Sequence, residues 1–287
     1  NSLTGSVPAE LGDLTNLSEL RLSNNNLDSS LSQWLFSAGI STVTLTNAFQ
    51  IPMLEREALI ALYNATDGEN WTDNTGWNGV AGTECDWYGV TCTSGVITSL
   101  SLYSNSLTGS IPAELGNLTN LTELRLSYNS LTGSIPSELG SLTKLTSFNL
   151  EGNPLSGSIP AELGNLTNLT YFNLHNNSLT GSIPTELGSL IKLTSFFLGG
   201  NDLTSSIPAE LGNLTNLTIL WLNHNSLSGS IPPELGNLTN LAYLRLDYNS
   251  LTGSIPAELG NLTNLTGLYL YSNSLTGSIP PELGNLT

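Results

Sequence analysis

From Leu100 onward, apolar positions return every 24 residues: Leu100, Leu124, Phe148, Phe172, Phe196, Leu220, Leu244 and Leu268. A second column is unbroken Asn: Asn105, Asn129, Asn153, Asn177, Asn201, Asn225, Asn249 and Asn273. A third is Ile followed by Pro, from Ile111 to Ile279 at the same interval. Fixed periods of this length belong to solenoids, in which each unit stacks on its neighbours because none can bury its apolar face alone.

One unit, 118–141, serves for all. Leu124-x-Leu126 alternates, so it predicts a short strand with one face inward, paired in parallel with the next unit about 4.8 Å away. Leu131, Ile135 and Leu139 are expected to fill the interior as the chain returns. The Asn column is expected to turn inward at the strand end and satisfy backbone groups otherwise buried unpaired. Gly133 permits a close turn. Pro136 opens a short helical turn with Glu138 near its positive end, and Gly140 is expected to end it.

Residues 1–51 carry the same grammar (Leu3, Gly5, Val7-Pro8, Leu11-Gly12), with a strand expected at Leu20-x-Leu22 and then Asn25 and Leu27. The pattern then decays, leaving Val43–Leu45 as one last candidate strand. Pro52 opens something different. Leu54, Ala58, Ala61 and Leu62 recur at helical spacing and predict an amphipathic helix over Met53–Tyr63, stopped by 64–68. Trp71, Trp77 and Trp87 follow. They are read as a lid on an open solenoid end, the alternative being an aromatic ligand cage. At the other terminus Leu268, Leu270, Leu275, Ile279 and Leu283 are expected to face an open end. A strand edge left there is a template for association.

Composition narrows the function classes. The chain has 287 residues, 10% of them charged, six Lys and Arg, and a formal net charge of −17. A nucleic-acid binder needs a basic stripe, which six scattered cations do not form. No apolar run approaches the ~20 residues that span a bilayer. The two cysteines, Cys85 and Cys92, lack the further ligands of a zinc site. A disulfide between them is expected, implying an oxidising compartment, with two buried thiols as the alternative.

The unit of 118–141 resembles the plant-type leucine-rich repeat, L-x-x-L-x-x-L-x-L-x-x-N-x-L-x-G-x-I-P-x-x-L-G-x, over nearly all of 98–287. Ser205 replaces one turn glycine and Pro154 follows one ladder Asn. The resemblance implies an α/β solenoid: a right-handed leucine-rich-repeat superhelix with a concave parallel sheet and short 3-10 or helical turns on the convex side. The predicted helix, Trp71, Trp77 and Cys85-x-Trp87-x-Gly89-Val90-x-Cys92 resemble the N-terminal cap of such proteins. The expected organisation is therefore the end of a preceding array (1–51), a cap (52–97), and an array of about eight repeats (98–287).

Strand positions beside the inward leucines are the expected concave surface. Tyr171, Phe197, Trp221, Tyr243, Arg245, Asp247, Tyr269 and Tyr271 form a candidate ligand stripe for peptide, protein or glycan; the bland reading is that exposed strand positions favour aromatics. His175 and His224 lie in different columns and suggest no catalytic pairing. No catalytic residue, metal site or cofactor is expected. The Glu column, Glu114 to Glu282, is explained by the helix dipole, with a cation as the alternative. Sequons stand at Asn16, Asn64, Asn70, Asn117, Asn120, Asn165, Asn168, Asn176, Asn213, Asn216, Asn237, Asn261, Asn264 and Asn285, so covalent N-glycans are expected. Two non-enzymatic functions follow. One is an extracellular or cell-surface scaffold glycoprotein joining its own copies end to end into fibrils. The other is a receptor-like or inhibitor-like recognition ectodomain.

Overall fold

A computed structural model describes residues 51–286, together with the backbone pairing of Thr4–Gly5 (β1) with Asn26–Leu27 (β2). The candidate strands at Leu20–Leu22 and Val43–Leu45 and the sequon at Asn16 lie outside the described residues. β1 pairs with β2 in parallel, Thr4 opposite Asn26. That 22-residue offset recurs where Thr180 faces Asp202.

The predicted solenoid is present. Its main sheet has nine strands: Val90–Thr93 (β3), Val96–Ser101 (β4), then Glu123–Arg125, Ser147–Asn149, Tyr171–Asn173, Ser195–Phe197, Ile219–Trp221, Tyr243–Arg245 and Gly267–Tyr269. Apart from β3, every pairing is parallel and in register at 24 residues; Leu220, for example, lies between Phe196 and Leu244. Inward strand leucines and phenylalanines are fully buried as far as Leu246. Full burial of each is worth roughly 1.5–3 kcal/mol, and every coil shares that interior with the next.

The Asn column does what its position predicts. Asn153 Oδ1 accepts from Leu131 N at 3.0 Å, while its Nδ2 donates to Leu126 O and Leu150 O at 3.1 and 3.0 Å. Each amide thus ties its own coil to the preceding one. The outer turns are five-residue 3-10 helices such as Ser137–Ser141, entered from Pro136.

Gly140 does not end its helix; it lies inside it and is buried, without a positive φ. Its bareness matters between coils, because a Cβ there would lie 2.5 Å from Glu162 O of the next coil. Turn glycines such as Gly133 do adopt the left-handed region (φ +74°), and Ser205, in place of one, is held at φ +67°. A second set of short parallel strands was not anticipated: Ser156–Ser158, Ser178–Gly181 and Asp202–Leu203 form one sheet, Ser228–Ser230 and Ser250–Thr252 another. They pair at 22 residues, Ser156 with Ser178, so this face is staggered relative to the main sheet.

Helix α1 spans Met53–Ala65, two residues longer than expected, and its buried face is Glu55, Ala58, Leu59, Leu62 and Tyr63. Leu54 does not belong to that face; it is 62% exposed. Helical geometry places 55, 58, 59, 62 and 63 on one stripe, and a carboxylate heads it. Glu55 Oε2 accepts from Ile97 N at 2.7 Å, so the charge is buried but hydrogen-bonded. Trp71, Trp77 and Trp87 are buried, and each indole N–H donates within the chain, to Thr66 O, Tyr88 O and Thr83 Oγ1. Their rings contact one another, Trp71–Trp77 at 4.8 Å and Trp77–Trp87 at 5.2 Å, so they are packing and not an open cage. Cys85 and Cys92 form a disulfide. β3 runs antiparallel to β4 and covers the sheet edge, which would otherwise be an unpaired template. In the last coil described, Leu268, Leu270, Leu275 and Leu283 are only partly buried and Ile279 is 75% exposed.

Candidate functional site

Parallel pairing in register turns the third position of each strand into a continuous row across the sheet. It reads Arg125, Asn149, Asn173, Phe197, Trp221, Arg245, Tyr269. The adjacent column, two residues on, reads Ser127, Glu151, His175, Gly199, Asn223, Asp247, Tyr271. The predicted stripe therefore lies on one face.

Its members interact. Tyr171 and Phe197 rings lie 5.6 Å apart, and Phe197 meets Trp221 edge to face at 4.9 Å. The Arg245 guanidinium sits 5.5 Å from the Trp221 ring and 5.4 Å from the Tyr269 ring, a cation held between two aromatic faces. Arg245 also forks onto Asp247, Nε to Oδ1 at 3.1 Å and Nη2 to Oδ2 at 2.8 Å. The Asp247 side chain has no exposure and keeps the arginine charged, raising its pKa, while burial opposes the shift. Burial raises the Tyr271 phenol, with the Asp247 carboxylate as a further cause. Tyr271 stacks edge to face on Tyr248 at 5.2 Å. Tyr243, 44% exposed, borders the row from two residues before Arg245.

Towards the amino-terminal side the surface becomes polar. Tyr128 OH donates to Glu151 Oε1 at 2.6 Å, which with burial pushes the phenol up to about 12. Asn173 Nδ2 donates to Glu151 Oε2 at 2.7 Å and to Tyr171 OH at 2.9 Å. His175, missed as a site residue, packs edge-on against Trp221 at 5.9 Å, and burial lowers its pKa despite Glu151 and the nearby Gly199 carbonyl. Its signal in the sequence was its column, shared with Asp247 and Tyr271. A shallow open trough lies elsewhere, lined by repeated positions such as Ser134, Ile135 and Pro136. Because every coil repeats it, it offers little to distinguish one ligand from another.

Sequon side chains fall into two groups. Asn168, Asn216 and Asn264 donate to Thr143 O, Ile191 O and Thr239 O of the preceding coil at 2.7–2.8 Å. Asn120 bonds Glu55 and Lys144. Asn117, Asn165, Asn213, Asn237 and Asn261 are exposed without such a bond, while Asn216 and Asn264 are exposed with one.

A repeat built this way, a Leu-x-Leu strand, an Asn ladder and a Pro-led 3-10 turn, defines a leucine-rich-repeat solenoid. Leucine-rich-repeat family models match residues 96–155 and also 16–38, 168–190, 192–214, 216–238, 240–262 and 264–286, and the chain belongs to that family, with the plant-type repeat. Among solved structures it is similar to the ectodomain of the Arabidopsis thaliana receptor kinase GASSHO1/SCHENGEN3 in complex with Casparian strip integrity factor 2. That match has 39% identity and a TM-score of 0.69 over 82% of this chain and 31% of the other. It is also similar to the Arabidopsis receptor kinase HAESA ectodomain bound to an IDA peptide hormone (34% identity, TM-score 0.65, 81% and 43% coverage). A plant ice-binding protein matches at 29% identity and TM-score 0.61, over 80% of this chain and 90% of its own. The chain therefore spans less than half of either receptor ectodomain. Among the described residues no helix is long and apolar enough to cross a membrane.

Proposed function

We propose that this chain is a non-enzymatic extracellular recognition surface, receptor-like or inhibitor-like, that binds an extended peptide along the concave sheet. The observation that carries it is the row Phe197–Trp221–Arg245–Tyr269. Four successive coils place aromatic rings and a sandwiched guanidinium where the three coils before them carry Arg125, Asn149 and Asn173. Rigid aromatics and arginine are the residues that dominate binding energies, and both receptor ectodomains named above were solved with a bound ligand. This supports recognition better than the end-to-end scaffold. In this reading 52–97 is the cap and 98–287 the binding array, on the cell surface or secreted. Glycans would sit on the exposed Asn117, Asn165, Asn213, Asn237 and Asn261, off the sheet, leaving the hydrogen-bonded Asn168, Asn216 and Asn264 bare.

The test is selection of ~12-residue displayed peptides on the chain, ~3.3 Å per residue being enough to cross several strands. Trp221→Ala or Tyr269→Ala should weaken the selected binders by roughly 1–2 kcal/mol or more. Binders indifferent to both would refute the reading.

A second reading rests on a different face. Thr132 and Ser134, and their counterparts in every coil from Thr108 to Ser278, expose two regular rows of hydroxyls flanking a glycine, or Ser205 in one coil. Such a lattice could order water in the manner of ice binding, the property of one similar protein. Thermal hysteresis abolished by Thr180→Lys, with peptide binding intact, would favour it.

A further inference from the structure

Of the acidic side chains on the concave face, Glu123 pairs with Arg125 at 3.7 Å and Asp247 with Arg245 at 2.8 Å. Glu151, in the same column as Asp247, takes part in no ion pair among the described residues. Its carboxylate is fixed all the same. Oε1 accepts from Tyr128 OH of the coil before at 2.6 Å, and Oε2 accepts from Asn173 Nδ2 of the coil after at 2.7 Å. Each oxygen keeps a second lone pair. His175, one coil on in the same column, has its pKa lowered by burial and is neutral at pH 7, so it does not balance the charge. The backbone is strained to hold this arrangement. Tyr128 sits at φ +56°, in a column that elsewhere carries Gly152 and Gly200, and a bulky residue there is an outlier of the kind found at functional sites. Gly152 leaves room for the ring, since a Cβ there would lie 3.0 Å from Tyr128 Cδ1. Tyr128 is 49% exposed, so burial in the core does not explain its place.

We infer that Glu151 is the subsite for one cationic side chain of the bound peptide, a lysine ammonium or an arginine guanidinium, held by an ion pair on the surface of the concave sheet. The inference rests on the peptide reading above and names the chemistry and the register of one position of it. A carboxylate already oriented by two donors need not be ordered by the ligand, which removes part of the cost of pairing with it. A metal ion fits less well. One carboxylate supplies too few oxygens, and no group of three or more His, Cys, Asp or Glu is placed to hold a metal among the described residues. At the other end of the row Arg245 already has Asp247, so the ligand is not asked for a charge there. The surface is therefore directional. Three strand-to-strand steps of ~4.8 Å separate the coil of Glu151 from that of Trp221, ~14 Å in all, which an extended peptide covers in about four residues at ~3.3 Å each.

Position-by-position analysis of the selected peptides tests this. One position should be enriched in Lys or Arg, about four residues from the position whose preference is lost in Trp221→Ala. Which of the two dominates separates ammonium from guanidinium. Norleucine at that position should weaken binding to the unaltered chain roughly fivefold near ~0.1 M salt and hardly at all near ~1 M, where the Debye length falls to ~3 Å. That comparison needs no variant of the protein, so a folding defect cannot blur it. Glu151→Gln should remove both the preference and its salt dependence while Trp221-dependent binding persists. Glu151→Lys should select Asp or Glu at the same position, which a merely structural role for Glu151 would not produce. Trp221-dependent binders with no cationic position, or with one that survives Glu151→Gln, would overturn the subsite and leave the peptide reading standing. A preference met by the free amino terminus, and lost on its acetylation, would overturn the side-chain assignment. Failure to select any binder would count against the peptide reading itself. The subsite would then be decided by titrating N-acetyl-lysine methylamide and its norleucine analogue while following the Asn173 side-chain amide by NMR. The lysine compound alone should shift it, and Glu151→Gln should abolish the response. An equal response to the norleucine compound would refute the assignment.

Discussion

Asn201→Ala isolates the device that joins one coil to the next. The side chain is 7% exposed. Its Oδ1 accepts from Leu179 N at 3.0 Å, and its Nδ2 donates to Leu174 O and Leu198 O, both at 3.0 Å. Truncation orphans one buried N–H, that of Leu179, whereas Leu174 O keeps the Asn177 amide at 3.0 Å and Leu198 O keeps the Asn225 amide at 3.1 Å. A buried donor so orphaned costs about 1–3 kcal/mol. The expected loss is about 1–3 kcal/mol. It is lessened only if water enters the space of the missing amide. Because a solenoid coil touches only its neighbours, the damage should be local. Urea denaturation should show the loss. Native-state hydrogen exchange should show the Leu179 amide exchanging much faster while amides of 53–65 keep their protection. A loss below about 0.5 kcal/mol, the range of ordinary surface substitutions, would refute the argument that the Asn column carries inter-coil stability.

Gly188→Ala should destabilise by about 1–3 kcal/mol through overpacking, since its Cβ would lie 2.6 Å from Glu210 O. Gly284→Ala, with no atom within 4 Å, is the control that should do no harm; urea midpoints of the two variants check the pair. Ser205→Gly relieves a left-handed non-glycine residue at φ +67° and should raise stability by about 0.5–1 kcal/mol, as the ~1–2 kcal/mol steric relief is partly offset by backbone entropy. His175 has a pKa lowered by burial below 6.5, so in the window beneath 6.5 the unfolded chain binds more protons than the folded one. Stability should be full above pH 6.5 and fall as the pH drops through the folded value. His175→Gln should flatten that slope in denaturation curves between pH 7.5 and 5.5, and an unchanged slope would contradict it.

Most of the architecture was legible in the sequence because it repeats. Eight copies of Leu-x-Leu at one spacing leave no freedom about which face turns inward, and an invariant Asn at a strand end has few physical roles. The helix face was harder. Leu54 fits the helical period as well as Glu55 does, and only the Ile97 N–H of β4, which donates to Glu55, explains why the carboxylate is the one buried. Gly140 was misjudged for a related reason: end-capping is a local rule, whereas its role depends on Glu162 O of the next coil. The aromatic stripe could be found from its column.

The central claim is that the chain binds through its concave sheet, and a footprint tests it most directly. With a selected peptide bound, hydrogen exchange should slow on the strands Tyr171–Asn173 through Gly267–Tyr269 and in the residues just after them. The 3-10 helices Thr185–Ser189 and Pro233–Asn237 on the opposite side should exchange as before. Protection confined to those helices or to the hydroxyl rows, with the sheet unchanged, would contradict the account.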